Sequence, residues 1–274
     1  MRTQDVVRAA ARNNAAWCAT VCETHAIHGR TDRHAWASPV RTPALYPDAV
    51  TLAPGADAAA LLARIDTRSP GASVKDSFAD LDLSGPRPGA GAGGSNGDRD
   101  GDRDRDRDRD AFQVLFEASW IHRPSAPARS FSTPGGATPR VSTQQVDWAP
   151  VHDAATLRAW ADAWDGGAGH AEVFRPELLT DPATTVLAGR TGTGEVVGGA
   201  VATRSDGVVG LSNVFAGPGG AGSAWPGVLD VVARLFPGVP AVGYESGDDL
   251  ATALRHGFEV VGPLRVWVAS AATA

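Results

Sequence analysis

The chain has 274 residues, of which 43% are apolar, and it carries a formal net charge of −6 at pH 7. A chain of this size buries one large core or two modest ones, and its length favours two lobes. The negative charge argues against general nucleic-acid binding, which needs a basic surface that displaces counterions, but it leaves room for a local basic pocket.

Two cysteines and the opening residues bear on the cellular compartment. Cys18 and Cys22 lie four residues apart, and a secreted protein held by disulfides would use more cysteines. Residues 1–14 lack the apolar segment of a signal peptide. No stretch approaches the roughly 18 uninterrupted apolar residues of a membrane span. We therefore expect a cytoplasmic protein with reduced thiols and no membrane partner.

The first half of the chain predicts a small α/β lobe. Apolar residues recur at helical spacing through residues 5–28, and Gly29 follows as a stop. Three prolines then predict an irregular segment up to residue 47. The elements expected next are a strand at 49–52, a helix at 56–65, and strands at 73–83 and 112–121.

Two stretches of biased composition interrupt this pattern. Residues 85–110 run from a Gly/Pro-rich segment into alternating arginine and aspartate, without a large apolar anchor. We interpret them as a disordered insertion at a hairpin tip, because they bury too little to offset the entropy of ordering. Their mixed charges cancel, which favours a solvated spacer over a binding role. Residues 124–140 are the expected linker between lobes at 1–123 and 141–274.

The second lobe follows a regular order of elements. Asp153 is the expected cap of a helix through residue 164, whose apolar residues recur at the spacing of a buried face. The remaining helices are expected at 174–179 (a short helix or turn), 225–236 and 248–256, and the helix at 225 follows a glycine-rich loop. The expected strands are 141–151, 184–189, 196–204, 208–215, 239–244 and 258–268.

This order of elements, β-α-α-β-β-β-α-β-α-β, resembles the GNAT family of N-acetyltransferases. TTVLAGRTGTGEVVGGAVATRSDGVVGLSNVFA is similar to the second to fourth strands of that fold, and ALRHGFEVVGPLRVWV is similar to its closing helix, Gly-Phe turn and final strand. The resemblance implies an α+β protein with a mixed, mostly antiparallel twisted sheet and flanking helices. The smaller N-terminal lobe, which we expect to cover the substrate side, is either a degenerate GNAT-like copy or a different α/β cap.

The resemblance also implies an acetyl-CoA site. In this fold the strand ending at Phe215 splays from the strand at 239–244, and the pantetheine arm hydrogen-bonds in the gap as an added strand does. The pyrophosphate binds amides of the glycine-rich loop at a helix N-terminus. Acetyl-CoA is then a cosubstrate, and no metal is expected. The implied contacts are Asn213, Val214, Phe215 and Ala216 for pantetheine, and Gly217, Gly219, Gly220, Ala221, Gly222 and Ser223 for the loop.

The sequence departs from the family's pattern at several positions. The loop lacks the basic or amide residue at its start, and Pro218 removes one N–H donor. Ser246, a further residue that the resemblance implies to bind the cofactor, stands where an asparagine often follows the fifth strand. Ala253 stands where a tyrosine often protonates the leaving thiolate. We interpret His256, in the last turn of its helix, as a partner of the helix dipole rather than an acid. The general acid is therefore unassigned.

Glu245 is the candidate general base. It ends the strand close to the expected thioester, where a carboxylate takes a proton from an incoming amine directly or through water. The competing interpretation makes Glu245 a buried structural partner of Arg255 or Arg265.

Other polar residues form smaller groups. Cys18, Cys22 and His25 lie on one side of the first helix, where they could hold zinc with a fourth ligand, although a packed face of small residues is favoured. The remaining candidates for ligand contact are Asn13 and Asn14 in that helix, Arg41, Tyr46 and Asp48 in the proline-rich loop, His170 and Glu172 after the Asp153 helix, and Glu117 and His122, which are as compatible with the surface.

We predict an N-acyltransferase that moves an acetyl group from acetyl-CoA to an amine of a small molecule or peptide. Positioning of the amine and the thioester supplies most of the rate acceleration, and strand amides polarise the thioester carbonyl. The alternative is a non-catalytic GNAT-like ligand-binding or sensor module. A third option is a structural partner lobe in a homodimer, with exposed tryptophans as the interface. The sequence leaves the acceptor open.

Overall fold

The computed structural model describes residues 2–85, 112–125, 146–217 and 224–269. The predicted insertion beyond Gly85, most of the predicted linker and the loop residues 218–223 lie outside these ranges. The chain forms two compact units, Met1–Ser119 with Gly262–Ala274 and Trp120–Val261. Their bounds differ from those of the predicted lobes, and the division into lobes at 1–123 and 141–274 stays a prediction.

The described residues form five α-helices and eleven strands, which confirms the predicted α+β class. Up to residue 125 they are α1 (Thr3–Thr24), β1 (Arg30–Thr31), β2 (Ala35–Ala37), β3 (Ala49–Thr51), α2 (Ala58–Leu62), β4 (Ser73–Asp76) and β5 (Phe112–Arg123). From residue 146 they are β6 (Asp147–Pro150), α3 (Ala154–Asp165), 3-10 turns at Ala171–Val173 and Pro176–Thr180, β7 (Thr184–Arg190), β8 (Val196–Ser205), β9 (Val208–Ala216), α4 (Ala224–Leu235), β10 (Ala241–Glu245), α5 (Gly247–Arg255) and β11 (Glu259–Ala269).

The first unit contains a small sheet in the order β1, β2, β3, β4 and the C-terminal part of β11. Its pairs are antiparallel except for β3 and β4, which run parallel with α2 between them in the chain. One core cluster joins Leu61 and Ile65, on and just after α2, to Val74 of β4 and Trp267 of β11. The final strand of the chain is thus part of the core of the first unit.

The second unit contains the end of β5 followed by β10, β9, β8, β7 and β6. The strands from β6 to β9 form the predicted antiparallel meander, whereas β9 and β10 run parallel with α4 between them. Helix α4 buries Trp225, Val228 and Val232 at the spacing of one helical face. These residues share a core cluster with Ile121 of β5, which is fully buried.

Helix α3 forms where the sequence predicted it. The Asp153 carboxylate accepts a hydrogen bond from the amide of Thr156 at 2.9 Å, which caps the helix. The buried Trp160 indole donates to the carbonyl oxygen of Leu187 at 2.9 Å and packs edge-on against Phe174 and Phe215. This aromatic contact ties α3 to β9, the strand that carries the expected pantetheine contacts.

Two predictions were wrong because side chains accept hydrogen bonds from nearby backbone amides. The segment predicted as irregular up to residue 47 contains the hairpin of β1 and β2, because Asp32 accepts from the amides of His34 (2.7 Å) and Ala35 (2.9 Å) and closes the turn. The strand predicted at 73–83 ends at Asp76. The carboxylate of Asp76 accepts from the amide of Leu81 at 2.9 Å and turns the chain out of the sheet.

The surface of the described residues corrects one further expectation. All eight tryptophans are buried or half-buried, and Trp120, Trp160 and Trp225 are at most 1% exposed. The prediction that exposed tryptophans form a dimer interface is therefore wrong, whereas the homodimer itself stays a prediction. Within the described ranges, no helix is both long enough and apolar enough to span a membrane.

Candidate active site

The two parallel strands of the second unit separate toward their C-terminal ends. β9 and β10 pair at Val209 with Ala241 and at Gly210 with Val242, and their register extends no further among the described residues. Gly243 still approaches β9 closely, because a Cβ built on it would lie 3.0 Å from the carbonyl oxygen of Leu211. Beyond that point, residues 212–217 are half-buried, so an edge of β9 is open between the strands.

β9 carries a β-bulge in this open segment. Phe215 lies opposite Gly199, whereas Ser212 lies opposite Val201, so β9 has one extra residue between these pairs. Asn213 adopts a φ of 54°, a left-handed conformation that asparagine tolerates better than most residues. Such a bulge bends the strand and takes backbone groups out of the ladder. The bulge lies in the same segment of β9 that has no β10 pair among the described residues.

The structure places the four predicted pantetheine contacts along this bulged end of β9. The Val214 side chain packs on the core under α4, and the Phe215 ring lies 5.3 Å from that of Trp160. Ala216 pairs with Gly198 of β8. The amide of Gly217 donates to the carbonyl oxygen of Val197 at 2.7 Å, so it is committed to the sheet rather than to a phosphate. The other predicted loop contacts, from Gly219 to Ser223, lie outside the described residues.

Glu245 is the last residue of β10 and is half-buried. Burial, together with a smaller contribution from the nearby charge of Asp249, raises the pKa of its carboxyl from 4.5 to about 7. The competing partners are bound elsewhere, since Arg255 donates to Thr252 (2.8 Å) and Arg265 to Glu117 (2.8 Å). Asp249 was missed in the sequence, although its spacing of four residues from Glu245 was the available signal.

The raised pKa of Glu245 predicts that glutamine at this position stabilises the fold at alkaline pH. Because the folded-state pKa lies above the unfolded one, the contribution of Glu245 to stability is full below pH 4.5 and is lost as the pH rises through about 7. We expect Glu245→Gln to match the wild type near pH 4.5 and to be more stable at pH 8, by about 3 kcal/mol at most. Urea unfolding at pH 4.5 and pH 8 measures the free energy of unfolding of both proteins. The same difference between variant and wild type at both pH values would contradict the prediction.

The start of α5 contains Ser246, the remaining residue implied to bind the cofactor. Ser246 is exposed at the N-cap position, and its hydroxyl does not make the capping hydrogen bond to the helix. Ala253, which stands where the family often has a tyrosine, is fully buried in the core under α4. His256 is the C-cap of α5, and its carbonyl oxygen accepts from Arg123 at 3.1 Å. Alanine at position 253 therefore supplies no acid.

The parallel strands of the first unit are bridged by their own side chains. The hydroxyl of Thr51, at the end of β3, accepts from the amide of Ser77, just after β4, at 2.8 Å. The Asp80 carboxylate accepts from the amide of Gly55 at 2.7 Å, which joins the segments that follow the two strands. These bonds occupy the place that corresponds to the open segment of β9 and β10. The candidate cofactor site therefore lies in the second unit.

The cysteine group of α1 is packed in the core of the first unit. Cys18 and Cys22 are free thiols that are at most 1% exposed. Burial raises the pKa of the Cys18 thiol and raises that of Cys22 to about 12, so both behave as small apolar groups. The amide oxygen of buried Asn14 accepts from the buried ammonium of Lys75 at 2.8 Å. His25 is the C-cap of α1, and among the described residues no three potential ligands form a group that could hold a metal ion.

The proline-rich loop is held by a buried carboxylate. Asp48 is fully buried, pairs with Arg41 and accepts from the amides of Thr42 (3.0 Å) and Ser73 (2.8 Å). Tyr46 packs edge-on against Trp17 at 6.1 Å. The three candidates Arg41, Tyr46 and Asp48 are thus brought together, but their contacts hold the loop to the first unit.

We expect Asp48→Asn to destabilise the protein by about 3 kcal/mol, because it leaves the partly buried Arg41 without its counterion and turns an N–H group toward backbone donors. Urea unfolding measures the change. The control is Asp230→Asn, which alters an exposed pair with Arg234 on α4 and is expected to cost less than about 1 kcal/mol. Equal losses for both variants would show that the Asp48 network has no special role.

The remaining candidates make surface or structural contacts. Glu172 pairs with Arg158 of α3, and the amide of His170 donates to Asp165 at 2.6 Å. Glu117 pairs with Arg265 in the first unit, while His122 lies 3.1 Å from the exposed carboxylate of Glu259 in the second. The structure does not bring these residues to the open segment of β9.

Two solved structures are similar to this chain over nearly its whole length. A GCN5-related N-acetyltransferase from Kribbella flavida has a TM-score of 0.50 and 16% identity, covering 95% of each chain. A conserved protein of unknown function from Staphylococcus epidermidis has a TM-score of 0.52 and 11% identity, covering 89% of this chain and 95% of its own. The chain has a GNAT fold. No protein-family model matches the sequence, and no curated protein does.

The GNAT likeness extends over both units. A match that covers 95% of both chains includes the first unit as well as the predicted GNAT-like half. At identities of 11% and 16% the likeness establishes the fold alone. Chemistry therefore has to be argued from the residues of this chain.

Proposed function

We propose that the protein is an N-acyltransferase that binds acetyl-CoA in its second unit and moves the acetyl group to an amine of a small molecule or peptide. The observation that carries the proposal is the bulged, separated end of β9 beside a half-buried carboxylate on β10. An extended pantetheine arm would add to the open edge of β9 through main-chain hydrogen bonds. Asn213 and Val214 are the contacts nearest the expected thioester.

Glu245 is the proposed general base. An amine that attacks the thioester carbonyl carbon forms the amide C–N bond as the C–S bond breaks, and the nitrogen gives up one proton. A base with a pKa of about 7 takes that proton efficiently near neutral pH. Solvent supplies a proton to the departing CoA thiolate in this scheme, because Ala253 offers no acid. Positioning of the amine and thioester then provides most of the acceleration.

Calorimetric titration with acetyl-CoA tests the binding step, with CoA and ATP as comparison ligands. We expect saturable binding of one acetyl-CoA per chain, because side-chain hydrogen bonds occupy the corresponding strand gap of the first unit. Gly220→Glu places a negative charge in the predicted phosphate loop and should weaken binding. The matched control is Gly192→Glu in the open turn between β7 and β8. Two sites per chain, or no heat at high ligand concentration, would overturn this proposal.

A second candidate function is a non-catalytic module that binds or senses acyl-CoA. The buried alanine at position 253 favours it, since a tyrosine acid is missing there. Release of free CoA thiol in a screen of amines separates the two functions, because a sensor binds acetyl-CoA without turning it over.

We further infer a cytoplasmic location, supported by the two free, buried thiols of Cys18 and Cys22. A homodimer is part of the proposal without a defined interface, and sedimentation of the purified protein gives its oligomeric state.

A further inference from the structure

The two units share one order of strand pairing. In the first unit β1, β2 and β3 pair antiparallel, and β3 then pairs parallel with β4. In the second unit β7, β8 and β9 pair antiparallel, and β9 then pairs parallel with β10. Each parallel ladder has two residue pairs among the described residues, and each has a helix, α2 or α4, between its strands in the chain.

The strand that follows in each unit comes from the other half of the chain. β4 pairs antiparallel with β11, which joins Asp76 to Arg265 and Ser73 to Val268. β10 has β5 as its neighbour, with the Tyr244 ring 5.6 Å from that of Trp120 and a Cβ at Gly243 3.7 Å from the Ile121 side chain. The residue number falls along β10 from Tyr244 to Gly243 while it rises along β5 from Trp120 to Ile121, as in an antiparallel pair. In sequence, however, β5 is the strand after β4, and β11 is the strand after β10 and α5.

We propose that the two units are copies of one fold that have exchanged the C-terminal parts of their final strands, β5 and β11, so that each half of the chain is the binding partner of the other. Trp120 and Ile121, from the first half, are at most 1% exposed in the second unit. Leu264 and Trp267, from the second half, are at most 5% exposed in the first unit. Each core is therefore completed by large side chains that its own half does not supply.

The exchange makes the two units unfold together. Withdrawing either final strand removes a hydrogen-bonded neighbour from a sheet and opens the core beneath it, which side chains of the remaining half do not refill. Units joined only by a linker and a surface contact would instead unfold in separate steps. The test therefore asks whether the two units unfold in one step or in two.

The test uses the full chain with a protease site in place of eight residues between positions 126 and 140, so that cleavage separates the halves while all described residues stay. We expect both pieces to elute as one species after cleavage. In urea, loss of association and loss of far-ultraviolet circular dichroism should coincide, with a midpoint that rises with protein concentration. The uncleaved chain is the control, and its midpoint should depend less on concentration because its halves stay covalently joined. Pieces that separate while still folded would overturn the proposal.

A second measurement applies to the unmodified protein and needs no cleavage. Hydrogen exchange compares the amides of Val266 and Val268 in the first unit with those of Val186 and Ala188 in the second. We expect the slowest amides of both units to exchange with the same urea dependence, through one global opening. Two distinct openings, one for each unit, would overturn the proposal. Neither measurement uses acetyl-CoA, so the result is independent of the proposed function.

Discussion

Glu245→Gln is expected to lower the turnover number for acetyl transfer by about 10²–10⁴-fold while acetyl-CoA binding stays within about twofold of the wild type. Glutamine keeps the shape of the half-buried side chain at the end of β10 but accepts no proton. Release of CoA thiol with an accepted amine measures turnover, and calorimetry measures binding. Because the carboxyl has a pKa of about 7, wild-type turnover should rise with pH through that value. The residual rate of the variant should lack this rise.

Glu259→Gln is the matched control for this experiment. Glu259 is an exposed carboxylate that pairs with His122, and its replacement should leave both turnover and pH profile unchanged. Wild-type turnover in Glu245→Gln would assign the base elsewhere, and loss of acetyl-CoA binding in that variant would make Glu245 part of the cofactor site instead.

Gly199→Ala is expected to destabilise the protein by about 4 kcal/mol, although it adds a single methyl group. A Cβ on Gly199 would overlap the indole nitrogen of Trp160 and lie 2.6 Å from the Phe215 ring. The indole cannot yield without losing its hydrogen bond to Leu187, which would leave a buried donor unpaired. Urea unfolding measures the loss.

Gly192→Ala is the control for the glycine substitution. A Cβ at Gly192 meets no atom within 4 Å, and the change should stay within about 0.5 kcal/mol. A loss below about 1 kcal/mol for Gly199→Ala would show that Trp160 and the β-bulge readily rearrange, and the geometry of the cofactor site would then be less fixed than the structure indicates.

Local patterns in the sequence predicted the elements of the second unit. Helix α4 follows from the spacing of Trp225, Val228 and Val232, and the Asp153 cap marks the start of α3. Both signals lie within a few residues of the element that they define. The position of Glu245 at the end of a strand was predictable for the same reason.

The features missed in the sequence depend on contacts between distant residues. Hydrophobic alternation identifies β11 as a strand but does not say that Trp267 packs beside Val74 rather than in the second unit. Asn213 looks like an ordinary strand residue, and its bulge follows only from pairing with β8. The pKa of Glu245 depends on burial, which a linear sequence does not give.

The pairing of β4 with β11 also constrains how the protein is made. Ser73 is synthesised long before Val268, its partner in the sheet. While the ribosome is still translating, the first unit has β4 at an unpaired edge and lacks Trp267 in its core. Such an edge can pair with other nascent chains. The first unit is thus completed only after β11 has left the exit tunnel, and slow translation between β4 and β11 would expose that edge to aggregation.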